Sequence, residues 1–269
     1  MTDLDYSVLD GPEVSDRSFY PRPHWTKTPE GAVDYAIDVG DDIVLSSRFF
    51  PVGLANPTIL FFYGNGETAA GYDPIAPLYN EIGVNFFIAD YRGYGASGGS
   101  PAFTKMLTDA HKVLESLLET MQVRQFTGPL YVMGRSMGRH SAFELAVNAS
   151  EHLNGVIIES GRPTIGNFTR GLIPEVANAL EDAYVSKVHS IDIPALVIHG
   201  QWDEGAPLRD AVEMHNNLQT RNKHLEIIPG AGHNDLMYVG TTQYFRGIRD
   251  FLVKYARYRT ESGEQAGGG

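Results

Sequence analysis

The segment Gly134-Arg-Ser136-Met-Gly138 places a serine between two glycines, where the apolar run "PLYVM" gives way to a helical pattern. A serine on a tight bend between strand and helix can act as a nucleophile, and the crowded backbone there requires glycine on both sides. Its hydroxyl is a weak nucleophile, so an imidazole must accept its proton and a carboxylate must orient that imidazole. Ser136 is therefore the candidate nucleophile, on a predicted nucleophile elbow.

A second match to the same pattern, Gly95-Ala-Ser97-Gly-Gly99, lies in different surroundings. Ser97 follows the apolar run "VNFFIAD" only after several residues, and Pro101 separates it from the next helical pattern. A motif of this kind has meaning only in its structural context. We therefore predict that Ser97 lies in an ordinary loop.

The candidate base and acid follow two later apolar runs. Among nine histidines, His233 lies in the glycine-rich stretch "PGAGHND" after the run "HLEII", and Asp203 and Glu204 follow "ALVIH" in the same way. Of the two acids, Asp203 is preferred. The carboxyl edge of a parallel sheet is where ligands bind, and the order serine, acid, histidine fits one family of serine hydrolases. His199 and Asp203 are four residues apart, but no third ligand lies near, so no metal site is predicted.

The elements that must position these residues can be read from hydrophobic patterns. Two runs, 33–39 and 43–50, flank Gly40-Asp-Asp and predict an antiparallel hairpin. Continuous apolar runs then alternate with helical stripes, which is typical of parallel strands buried on both faces. These strands are predicted at 58–63, 84–90, 130–133, 155–159, 195–199 and 224–228. The expected fold is a three-layer α/β domain over residues 1–260, with a small lid at 161–193 and a flexible tail at 261–269.

Composition limits the classes of function. The chain has 269 residues, 42% of them apolar, with no cysteine and a net charge of −12. Nucleic-acid binding needs clustered Lys and Arg, so nucleic acid and anionic membranes are unfavourable partners. No secretory signal or membrane-spanning run is visible. We expect a cytoplasmic protein that acts on a small acyl substrate without a cofactor, and its oligomeric state is left open.

Five motifs in order resemble the α/β-hydrolase superfamily, in its branch of lipases, esterases and thioesterases with small lids. The resemblance covers residues 30–257 and rests on "FFYGNGE", "DYRGYGASGG", "GRSMG", "HGQWDEGAP" and "GAGHNDL". It implies an α/β-hydrolase fold and an oxyanion hole formed by the backbone N–H groups of Met137 and Asn65. Family members commonly have histidine where this chain has Tyr63.

Arg139 departs from the resemblance, because similar sequences usually carry a small residue beside the nucleophile. Burying an unpaired guanidinium is costly, so Arg139 is expected to reach solvent or a carboxylate. On that basis Arg139→Ser is expected to be tolerated or stabilising.

The residues predict a serine hydrolase that cleaves carboxylic esters or thioesters, while acyl transfer or peptide cleavage would use the same residues. A catalytically silent ligand-binding protein on this scaffold stays open. An NAD-dependent oxidoreductase would use Gly64-x-Gly66-x-x-Ala69 and Asp90, but Pro74 and Pro77 interrupt the helix that should face the pyrophosphate. Apolar residues in the lid predict either an apolar cover over Ser136 or core packing: Ile165, Phe168, Leu172, Ile173 and Leu180.

Overall fold

An eight-stranded sheet forms the centre of the molecule. The computed structural model describes residues 5–259. The strands are β1 (Val33–Asp38), β2 (Val44–Phe50), β3 (Thr58–Phe62), β4 (Asn85–Ala89), β5 (Leu130–Arg135), β6 (Gly155–Glu159), β7 (Ala195–Gly200) and β8 (Lys223–Ile228). Their order in the sheet is β1-β2-β4-β3-β5-β6-β7-β8, with β2 antiparallel to both β1 and β4 and the other pairs parallel. The predicted fold class is confirmed, including the N-terminal hairpin.

The local sequence explains both parts of this sheet. At the hairpin turn, Gly40 has φ of 80° and Asp41 and Asp42 each have φ of 57°. Glycine and aspartate are among the residues that adopt this left-handed region, and they are favoured in hairpin turns. In β3, β4 and β6 every residue is buried, which is why these strands appear as unbroken apolar runs.

Helices cover both faces of the sheet. They are α1 (Pro12–Ser18), α2 (Ala76–Glu81), α3 (Phe103–Val123), α4 (Arg139–Asn148), α5 (Pro174–His189), α6 (Leu208–Asn217), α7 (Leu236–Val239) and α8 (Thr241–Lys254). The predicted stripe of α3 is buried from Phe103 to Met121, apart from the partly buried Leu118. No helix within residues 5–259 is long and apolar enough to cross a membrane.

The segment 161–193 connects β6 to β7. It begins with a loop and a short 3-10 turn at Gly166–Thr169, and it continues as α5. Helix α5 packs on α4, and the buried Tyr184 hydroxyl lies 2.5 Å from His140 Nδ1. The second half of the segment is thus a crossover helix, and only the loop lies beside Ser136. The proposed tail at 261–269 lies outside the described residues.

Candidate active site

Ser136 lies on a sharp bend between β5 and α4. Its φ of 50° is unusual for a residue with a side chain, and such strain often marks functional positions. A side-chain carbon on Gly134 would lie 2.7 Å from Ala142 Cβ, and one on Gly138 would lie 2.0 Å from the Phe62 carbonyl oxygen. Both contacts are too short for real atoms, so the bend requires glycine on each side of Ser136.

His233 joins Ser136 to an acid at the carboxyl edge of the sheet. Ser136 Oγ lies 2.8 Å from His233 Nε2, and His233 Nδ1 lies 2.9 Å from each carboxylate oxygen of Asp203. The Asp203 side chain is fully buried, whereas that of His233 is 23% exposed. Glu204 is exposed. The structure therefore brings together the serine, histidine and aspartate chosen from the sequence.

Asp203 is held by contacts that the sequence did not reveal. The Ala206 N–H donates to Asp203 Oδ1 at 2.7 Å. His199 is fully buried, with Nε2 at 2.7 Å from the Ala206 carbonyl oxygen and 3.5 Å from Asp203 Oδ2. Burial alone would raise the pKa of Asp203, but hydrogen bonds from His233 and the Ala206 N–H outweigh it and lower that pKa. Asp203 therefore stays ionised beside His233.

Asn65 and Met137 lie on the same cavity as Ser136. The Asn65 side chain is fixed, because its Oδ1 accepts from the Tyr20 N–H at 2.9 Å and the Tyr94 hydroxyl at 2.6 Å, and its Nδ2 donates to the Ser18 carbonyl at 2.7 Å. Within residues 5–259 no acceptor engages the Asn65 backbone N–H. The Met137 N–H is in the first turn of a helix, where N–H groups have no intrahelical acceptor.

Arg135 connects the serine bend to the histidine loop, and sequence analysis missed it. The residue is 8% exposed, and its guanidinium contacts both Glu159 and Glu67. Its Nη2 also donates to the His233 carbonyl oxygen at 3.2 Å and to Asn234 Oδ1 at 2.8 Å. Burial alone would lower the pKa of Arg135, but the two carboxylates raise it. The sequence contained one signal of this role: Arg135 stands between Gly134 and Ser136, so its side chain must lie beneath the serine bend.

Arg139 corrects the sequence prediction. It is buried, and within residues 5–259 its guanidinium contacts no carboxylate. Its guanidinium donates to three backbone carbonyl oxygens, those of Arg162 at 3.0 Å, Ser136 at 2.8 Å and Thr164 at 2.9 Å. Burial lowers the pKa of Arg139 to about 10, so the side chain is still charged at neutral pH. The expectation failed because two of its three partners, the Arg162 and Thr164 carbonyls, belong to a loop that is distant in sequence.

A cavity of about 250 Å³ opens beside Ser136 and His233. Ile165 and Phe168 contribute apolar surface to it, and both also belong to the core. Leu180 is buried in the core, whereas Ile173 is 65% exposed. The apolar cover predicted from 161–193 is therefore only partial, and much of the cavity lining is polar: Ser18, Tyr20, Asn65, Arg139, Arg162 and Asn167.

The alternative sites in the sequence have other roles. Ser97 Oγ accepts from the Ser46 N–H at 2.9 Å, in the loop after β4. Asp90 is 1% exposed and accepts from the Tyr63 hydroxyl at 2.6 Å and the Ala69 N–H at 2.8 Å. Both of these bonds reach Asp90 Oδ1, and Oδ2 accepts from the Ser46 hydroxyl at 3.1 Å, so both carboxylate oxygens are engaged, which counts against the dinucleotide interpretation. Within residues 5–259 no three metal-ligating side chains group together.

Comparison with known proteins agrees with this fold. A family model described as "Serine aminopeptidase, S33" matches residues 55–163. Protein bem46 of Schizosaccharomyces pombe is 26% identical over 209 residues, which cover 74% of this chain and 68% of that protein. Alpha/beta hydrolase domain-containing protein 17B of Homo sapiens is 29% identical over 205 residues, covering 74% of this chain and 67% of that protein.

A solved structure shows the same architecture. The Pyrococcus furiosus esterase Pf2001 superposes with a TM-score of 0.71 at 19% identity, covering 88% of this chain and 99% of that one. The sheet order and the serine bend match the α/β-hydrolase fold, and the resemblance noted in the sequence is confirmed.

Proposed function

We propose that this chain is a serine hydrolase that cleaves carboxylic esters or thioesters through an acyl-serine intermediate. The observation that carries the proposal is the series from Ser136 Oγ to His233 Nε2, at 2.8 Å, and from His233 Nδ1 to Asp203, at 2.9 Å. These separations allow direct proton transfer between hydroxyl and imidazole. The bend at Ser136 and the burial of Asp203 support the assignment of the three as a catalytic triad.

In the proposed reaction, Ser136 Oγ attacks the substrate carbonyl carbon while His233 Nε2 accepts the hydroxyl proton. The Asn65 and Met137 N–H groups form the oxyanion hole for the negative charge on the carbonyl oxygen, each worth about 3 kcal/mol. Protonated His233 then gives its proton to the departing alcohol or thiol. A water activated by His233 attacks the acyl-serine, which releases the acid and restores Ser136. Asp203 holds the imidazole in the required tautomer.

The loop 161–173 is proposed to cover this site, as the part of the expected lid at 161–193 that borders the cavity. It supplies Arg162, Ile165 and Phe168 to the cavity and lies between the serine bend and α5. Amide cleavage is the second candidate, because the matching family model is described as an aminopeptidase. Both reactions use the same residues, so substrate assays must separate them.

Labelling with a fluorophosphonate probe tests the proposal. The probe is expected to modify Ser136 in the wild-type protein and to leave Ser136→Ala unlabelled. Ser97→Ala is the matched control, because Ser97 has the same Gly-x-Ser-x-Gly context and no hydrogen bond to a histidine among the described residues, and it should label like wild type. Labelling that persists in Ser136→Ala, or that is absent from the folded wild type, contradicts the proposal and favours a silent ligand-binding protein.

A further inference from the structure

Among the described residues, the Arg162 guanidinium beside the candidate nucleophile is a cation without a partner. Arg162 is half-buried and lines the cavity that also contains Ser136 and His233. Within residues 5–259 its side chain has no hydrogen-bond or ion-pair partner. A partly desolvated charge is costly unless something compensates it. The unpaired donors of Arg162 are therefore available to a ligand in the cavity.

A second guanidinium lies close to the first. A side-chain carbon on Gly166 would be 2.8 Å from Arg162 Nη2 and 3.5 Å from Arg139 Nη2, so the two cations converge over this glycine. Gly166 has φ of 77°, a conformation that favours glycine. Arg139 is held in place by its three carbonyl partners, whereas Arg162 is not. Like charges at such separations repel, and an anion between them would remove that repulsion.

The surrounding residues do not neutralise this pair. Glu181 acts electrostatically on Arg139, but its oxygens accept from the Ile165 N–H at 2.8 Å, the Gly166 N–H at 3.1 Å and the Thr169 hydroxyl at 3.0 Å. Among the described residues no carboxylate lines the cavity. The chain as a whole has a net charge of −12, so the positive charge of this site is opposite in sign to the net charge of the molecule.

Ser18 adds another polar group to the lining of the same cavity. It is 5% exposed and lines the cavity, and its Oγ has no partner among the described residues. Buried polar side chains are almost always hydrogen-bonded, so an unpaired one at a cavity indicates a polar ligand.

We propose that the substrate of Ser136 carries an oxyanion, a carboxylate or a phosphate, which Arg162 binds inside this cavity. The inference rests on the proposed hydrolase function and assigns its substrate class. A guanidinium presents a planar fork of donors that fits either group with two parallel hydrogen bonds. The volume of about 250 Å³ suits a short chain between the ester and the anion.

A matched pair of esters tests the inference. We would measure kcat/KM for the 4-nitrophenyl monoester of adipic acid, which carries a free carboxylate, and for 4-nitrophenyl hexanoate, which does not. The wild-type protein is expected to prefer the anionic ester, and Arg162→Gln should reduce that preference by about 10-fold or more, as for a lost charged hydrogen bond. Arg162→Lys keeps the charge without the fork and should retain part of the preference. Arg170→Gln removes an exposed arginine of the same segment and should leave the ratio unchanged.

Inorganic phosphate identifies the second source of an oxyanion. Competitive inhibition of hexanoate cleavage by phosphate at constant ionic strength, lost in Arg162→Gln, supports a phosphate-bearing substrate even where adipate is not preferred. Equal ester ratios in wild type and Arg162→Gln, without Arg162-dependent inhibition, overturn the inference and leave the hydrolase intact. If Ser136→Ala cleaves both esters as well as wild type does, the proposed hydrolase function fails, and the anion site with it.

Discussion

Arg135 Nη2 lies 3.2 Å from the carbonyl oxygen of His233, so the residue just before the candidate nucleophile also holds the loop of the candidate base. The same guanidinium contacts Glu159 at the end of β6 and Glu67 in the loop after β3. Three loops at the carboxyl edge of the sheet thus share one buried cation. Their relative positions depend on this side chain.

Arg135→Met is therefore expected to lower both stability and activity. Removing the cation leaves two carboxylates without their partner in a buried site, which costs about 3 to 5 kcal/mol of unfolding free energy. Urea unfolding at neutral pH measures the loss. Arg209→Met is the control, because Arg209 is 86% exposed and its change should stay within about 0.5 kcal/mol. Equal unfolding midpoints for both variants would contradict this role of Arg135.

Asp203→Asn tests the orientation of His233. An amide can donate a hydrogen bond to His233 Nδ1 and so favour the wrong tautomer, and kcat is expected to fall by about 10³- to 10⁴-fold with the fold retained. Glu204→Gln changes the neighbouring exposed acid and should leave kcat close to that of wild type. Steady-state kinetics on a chromogenic ester, with circular dichroism as the check of folding, provides the comparison. A similar loss of kcat in both variants would mean that the negative charge of the loop matters, and not the orientation of His233 by Asp203.

Arg139→Ser is now expected to destabilise the protein by about 2 kcal/mol, against the direction that the sequence predicted. Three backbone carbonyl oxygens, those of Ser136, Arg162 and Thr164, would lose charged hydrogen bonds in a buried setting. Thermal and urea unfolding measure the change, with the exposed Arg170→Ser as control. A variant as stable as wild type would show that water replaces the guanidinium at no cost.

The sequence was sufficient for the features that follow from local pattern. The strands and the α3 stripe follow from hydrophobic periodicity, and the serine bend follows from crowding at Gly134 and Gly138. The three site residues could be chosen because each follows a parallel strand, and such strands end at one edge of the sheet. No similar rule locates a partner for a side chain such as Arg139.

Long-range polar contacts therefore account for what sequence analysis missed. The bonds from Arg139 to the Arg162 and Thr164 carbonyls and the bond from Arg135 to the His233 loop each join segments that are distant in sequence. The sequence shows that a charged residue is present, but whether it is buried depends on loop conformations that have no periodic signal. The polar part of the cavity lining was missed for the same reason. Apolar residues such as Ile165 predicted an apolar cover over Ser136, but in the structure they also pack into the core.

Acid stability provides the last test, at Glu144 on α4. Its carboxylate bridges three helices, with His111 Nε2 of α3 at 2.9 Å and Lys187 of α5 as partners. Burial alone would raise the pKa of Glu144, but the His111 hydrogen bond and the Lys187 charge lower it to about 2. The folded pKa is below the unfolded one, so this stabilisation is complete above about pH 4.5 and is lost as the pH falls toward 2. The unfolding free energies of wild type and Glu144→Gln should differ by roughly 3 kcal/mol at neutral pH and converge across that range. Glu115→Gln, at a 62% exposed position, should show little difference at any pH, and a gap for Glu144→Gln that does not shrink in acid would contradict the role of its charge.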